Sequence, residues 1–76
     1  MKQDYPELVN DTLLQMKFAR IIDLLAQRLS IPHPQALVLF YGTNVYRYMS
    51  QKLAHLHNMS DAYVADEVML ELHKQM

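Results

Sequence analysis

Cysteine and tryptophan are absent, and glycine occurs once in 76 residues. Each absence removes a class of chemistry. Without cysteine there is no disulfide framework, no thiolate nucleophile and no sulfur-ligated zinc. A lone glycine, Gly42, leaves no glycine-rich loop to cradle a phosphate. Long hydrophobic runs are also missing. The longest, ALVLFY at 36–41, falls far short of the ~20 residues that span a bilayer. The first residues, MKQDYPELVND, are polar and acidic and lack the apolar segment of a secretion signal. With no disulfides either, the expectation is a cytoplasmic protein with no membrane partner.

Apolar side chains, by contrast, are abundant: 51% of residues are hydrophobic, and six are methionine. A chain this short makes one domain, 1–76, in which 1–9 is either a short turn or a loose N-terminal arm. Such a domain hides only roughly 60–65% of the surface its unfolded chain exposes. Part of the apolar material must therefore stay outside, where a partner or a second copy would cover it. Flexible methionines suit adaptable contact surfaces of that kind.

No alternation of period two appears, so no strand is predicted. Helical period is clear. Leu14, Phe18, Ile21, Leu25 and Leu29 form one stripe in a helix at about 10–29, capped by Asn10 or Asp11. Leu13, Met16 and Leu24 fall off that stripe and suggest a second apolar face. Pro32 and Pro34 break the chain, and Pro34 opens a helix at about 34–41. That helix is apolar all round, which predicts a central buried element. Gly42 is expected to end it as a left-handed cap. Thr43 or Asn44 then caps a helix at about 45–56, with Val45, Met49, Leu53 and Leu56 on one face. Ser60 caps the last, at about 61–73, where Val64, Val68 and Leu72 point inward and Asp66, Glu67 and Glu71 look solvated. The fold class is all-α, a small orthogonal bundle of three to four helices.

The net charge of −1 conceals a division. Residues 24–59 carry Arg28, Arg47 and Lys52 and no acid; residues 60–76 carry Lys74 against Asp61, Asp66, Glu67 and Glu71. Either the basic middle packs beside the acidic last helix, or it presents a cationic face to an acidic partner.

Catalysis needs convergent polar groups in a cleft. The acids lie along helix faces, and no nucleophile has an evident base, so no enzyme, cofactor or small-molecule substrate is expected. The histidines are His33, His55, His57 and His73. None has the spacing of three or four that a helical metal pair needs, and no metal site is expected. His57 reads as a structural or pH-sensitive histidine beside Tyr63 or Asp66. The stretch LLAQRLSIPHPQALVLFYGTNV resembles the opening of a helix-turn-helix. Its second helix offers only Gln35 to base edges, however, and seven Lys and Arg in all give little grip on phosphate. Nucleic-acid binding is the alternative function, a small DNA-binding regulator using the basic helix 45–56.

A wider pattern comprises Phe18, Ile22, Leu25 and Ala26, then Ser30, Ala36, Leu37 and Phe40, then Tyr46 and Tyr48, and finally Leu56-His57, Tyr63 and Asp66. It resembles a family of short bacterial all-helical proteins of unknown function. Some of these are encoded beside ADP-ribosyltransferase-like toxins. The resemblance implies a small single domain with an antitoxin-like or regulatory protein partner. The function expected on these grounds is a non-enzymatic protein–protein interaction module, a homodimer or the partner of another protein. Aromatic and arginine side chains anchor such interfaces, which points to Tyr41, Tyr46, Arg47, Tyr48 and Lys52 as the contact surface.

Overall fold

The computed structural model describes residues 11–51 and 55–74, apart from the side chains of His55 and His57. Four α-helices follow one another: α1 (Asp11–Leu29), α2 (His33–Tyr41), α3 (Asn44–Ser50) and α4 (Asp61–Lys74), with a 3-10 turn at His55–Asn58 before α4. The described residues contain no strand, and the predicted all-α class holds.

The predicted stripe of α1 is its buried face. Leu14, Phe18, Ile21, Ile22 and Leu25 meet Ala36 and Phe40 of α2, Val45 and Met49 of α3, and Val64, Ala65 and Val68 of α4 in one core. α2 runs back along α1, because His33 lies by Asp23 and Phe40 by Phe18. α4 runs parallel to α1, because Asp61 reaches Lys17 and Arg20 while Asp66 reaches Arg28.

The left-handed cap expected at Gly42 is found instead in the turn from α1 to α2. Ser30 takes the left-handed conformation, at φ 56°. Its N–H donates to the Gln27 carbonyl (3.4 Å), and the Ile31 N–H donates to the Ala26 carbonyl (3.1 Å). This is the paired capping pattern that glycine usually closes; here serine closes it. Gly42, predicted to be left-handed, sits instead at φ −87°, ψ 0°. The reason is local. Gly42 N–H and Thr43 N–H donate to the carbonyls three residues back, Leu39 and Phe40. The chain thus tightens by one turn and passes straight into the next cap, with no reversal to make.

Of the two expected candidates, Thr43 is that cap. Its hydroxyl donates to the Phe40 carbonyl (2.6 Å) and accepts from the Tyr46 N–H (3.1 Å). α3 begins on schedule but stops at Ser50, whereas a helix to 56 was expected. Ser50 Oγ donates back to the Arg47 carbonyl. The Gln51 N–H is shared between the Arg47 and Tyr48 carbonyls. Such back-bonding competes with the helical ladder and tightens the last turn. Leu56 lies in the 3-10 turn, half-buried against the core; Leu53 is outside the described residues, as is the expected arm 1–9. Ser60 caps α4, accepting from the Tyr63 N–H (3.0 Å).

α2 is not the central buried element its composition predicted. Ala36 and Phe40 are fully buried, Leu37 and Leu39 only partly, and Val38 is 68% exposed. Nine residues with α1 on one side bury one face, and no described element lies over the other. No helix among the described residues is long and apolar enough to cross a membrane.

Candidate functional site

The tyrosines that the sequence groups together fall into two places. Positions 46 and 48 are two apart on a helix, which turns their side chains roughly 200° from each other. Tyr46 points inward. Its ring centroid lies 5.3 Å from that of Phe18 and 5.5 Å from that of Phe40, and the two phenylalanines meet edge-on at 5.4 Å. Tyr41 packs against Tyr46 with its ring tilted, centroids 4.8 Å apart. The four rings thus lead from the core to the surface, where Tyr41 is 45% exposed. Val38 is one turn before Tyr41 on the same side of α2 and is exposed as well. Arg47 is exposed and enters no ion pair among the described residues. Lys52, the last residue of the expected contact surface, lies outside the described residues.

Tyr48 stands apart from this cluster. It is 54% exposed and lines a groove between α3 and α4 of about 640 Å³, together with Val45, Leu56, Tyr63 and Leu70. Glu67, Glu71 and Lys74 form its polar rim. Neither the groove nor Leu70 was anticipated from the sequence. The signal was present in the repeat of Tyr63 and Leu70 seven residues apart, on a second face of α4.

Glu71 corrects the expectation of a solvated acid. Its carboxylate accepts the Asn44 N–H (2.6 Å) and the Val45 N–H (3.2 Å). α3 has no acid in its own first turn, and an acid from α4 satisfies its free amides and complements its dipole.

Charge pairing follows the α1 side of α4. Lys17 Nζ donates to Asp61 Oδ1 (2.9 Å) and to the Met59 carbonyl (2.8 Å); Arg20 Nε donates to Asp61 Oδ2 (2.7 Å). Partial burial pushes the Asp61 carboxyl up, but hydrogen bonds from Arg20 and Lys17, with their charges, outweigh it and hold it below its ordinary value. Arg28 pairs with Asp66. Of the basic middle segment, then, Arg28 turns to α4 and Arg47 faces solvent. The expected contact of His57 with Tyr63 or Asp66 involves a side chain outside the described residues. Tyr63 itself leans toward α3 and Asp66 toward α1.

The hydroxyls of Thr43, Ser50 and Ser60 are all engaged with backbone groups. Among the described residues no three His, Asp or Glu converge as a metal site would require. The chain matches no family model, no curated protein and no solved structure. Its function is therefore read from its own geometry.

Proposed function

We propose that the chain is a non-enzymatic helical module that binds another protein through the α2–α3 corner, at Val38, Tyr41 and Arg47. One observation carries the reading. The core is closed, yet Leu13, Met16, Val38, Tyr41, Tyr48, Tyr63 and Leu70 remain exposed. The fold has no use for so much exposed apolar surface, and a contact surface does. At the corner, an apolar residue, an aromatic packed on its neighbour and an arginine with no ion pair among the described residues lie within two adjacent short helices, the composition that interface anchors favour. Neither α2 nor α3 contains an acid, so the complementary partner presents an apolar patch edged with carboxylates.

Tyr46 bears on this surface indirectly. It packs on Phe18 and Phe40, so truncating it disturbs the core as well as the corner. Tyr41 is the cleaner probe. The full chain, immobilised and exposed to extract from its native cell, is expected to retain one polypeptide in stoichiometric amount. Tyr41→Ser and Arg47→Glu are each expected to release it with the melting temperature unchanged. Retention of nothing, or retention indifferent to both substitutions, overturns the reading. Of the helix on which a DNA-binding alternative would depend, the described part has seven residues with one cation, Arg47, Lys52 lying outside the described residues, and no observation favours that alternative.

A further inference from the structure

The groove lies between α3 and α4, with Asn44, Val45 and Tyr48 of α3 on one wall and Leu56 of the 3-10 turn joining them. Glu71 ties α3 to this edge of α4, by accepting from the first amides of α3. On the α4 wall run Tyr63, Glu67, Leu70 and Lys74, at steps of four, three and four, which is a single row on a helix. Glu67 and Lys74 stand on either side of Leu70 with opposite charge. Neither enters an ion pair among the described residues. Leu70 between them is 55% exposed.

Such a row is complementary to its own reverse. A twofold axis at the level of Leu70 and Glu71 would set two copies of α4 antiparallel. Leu70 then meets the partner's Leu70, and each Glu67 lies level with the partner's Lys74. Acid meets base twice and apolar meets apolar once, with Tyr63 one turn beyond each Glu67, while Glu71, level with the partner's Leu70, is held by the α3 amides. The α2–α3 corner lacks this property, since it offers a cation and no acid.

We infer that the α3–α4 groove is a self-association surface, in which a second copy of the chain docks its α4 edge antiparallel, with two symmetric Glu67–Lys74 ion pairs around Leu70. The inference rests on the reading that the exposed apolar side chains are contact surface, and it assigns one part of that surface to the chain itself. A closed twofold contact of this kind uses the same patch on both copies. Opposite charges at its edges fix the register and reject a parallel arrangement, which would place like beside like.

Charge reversal in the full chain tests it, read by sedimentation equilibrium over a concentration series. The wild type is expected to show a monomer–dimer equilibrium. Glu67→Lys alone, or Lys74→Glu alone, sets like charges opposite each other at both pairs and is expected to weaken dimerisation on the order of tenfold or more. An equimolar mixture of the two variants is expected to form mixed dimers about as tight as the wild type. The double variant, with both charges exchanged, is expected to dimerise normally, and it serves if either single variant proves unfolded by circular dichroism. A wild type that stays monomeric at about 1 mM, a dimer indifferent to both reversals, or a mixture no tighter than its components overturns the inference. Capture of a foreign partner by the Glu67→Lys variant would persist in each of those cases, which separates this failure from failure of the proposed function.

Discussion

Along its α1 side, α4 sets Asp61 and Asp66 against Lys17, Arg20 and Arg28, over a core from which water is excluded. Along its α3 side, the same helix sets Tyr63, Glu67 and Leu70 beside a groove. The residues differ less than the neighbours do. α1 brings three cations and the main apolar stripe to α4; α3 meets it across a groove. An amphipathic helix becomes closed on one edge and open on the other when its two neighbours pack against it unequally. The open edge is then where apolar surface remains for something else to cover.

The largest test of this contrast compares two leucines. Leu25 is wholly buried in the core and Leu70 faces the groove. Leu25→Ala is expected to cost about 2–5 kcal/mol in urea denaturation. Leu70→Ala is expected to change monomer stability by less than about 0.5 kcal/mol while weakening self-association. Equal costs would mean that the groove is part of the core and not an open edge.

Releasing α3 from the open side comes next. Glu71→Ala removes the acceptor of two α3 amides, and a loss of about 1–2 kcal/mol is expected. Hydrogen exchange in α3 should accelerate while α1 stays protected. Uniform loss of protection would show that the two edges are not energetically separate.

On the closed side, Asp61→Asn is expected to cost about 1 kcal/mol at neutral pH and to flatten the acid limb of stability. The Asp61 carboxyl is held below its ordinary value in the folded chain. Its contribution is therefore complete above the ordinary carboxylate range, and is lost as pH falls through the lowered value. Thermal melts between about pH 6 and pH 2 should show the wild type losing more stability than Asp61→Asn does on this limb. Parallel curves would remove Asp61 from the account of the closed edge.

The smallest effect is expected at the corner that aims α3 at the open edge. A Cβ on Gly42 would meet the Leu39 carbonyl at 3.6 Å and the Val38 carbonyl at 3.8 Å, ordinary contacts. Gly42→Ala is expected to raise stability by about 0.5 kcal/mol, by restricting the unfolded chain. A clear loss would return the corner to the left-handed conformation that its glycine suggested.

Much of this architecture was legible before any coordinates. The stripe of α1, the break at Pro32 and Pro34, and the caps Thr43 and Ser60 all follow from local rules that depend on nearby residues alone. The surplus of apolar surface followed from size and composition. The candidate site was only partly legible. Tyr41, Tyr46 and Tyr48 are near in sequence, but the helical turn between 46 and 48 sends them to different neighbours. Leu70 and Lys74 looked like ordinary surface because their significance depends on how α3 packs beside α4. The exchange of roles between Ser30 and Gly42 was hidden for a similar reason. Local rules favour glycine for the left-handed position, yet the chain reverses at Ser30, where α2 turns back along α1.

The sequence by itself determined the helices, their inward faces and the excess of apolar side chains, because helical period, capping and surface-to-volume ratio act over a few residues or over bulk composition. Only the tertiary structure decided which acids found cations, that Glu71 would cap a foreign helix, and that one edge of α4 would stay open. Those outcomes depend on where residues more than twenty positions apart come to rest, and on how closely each neighbouring element packs against α4.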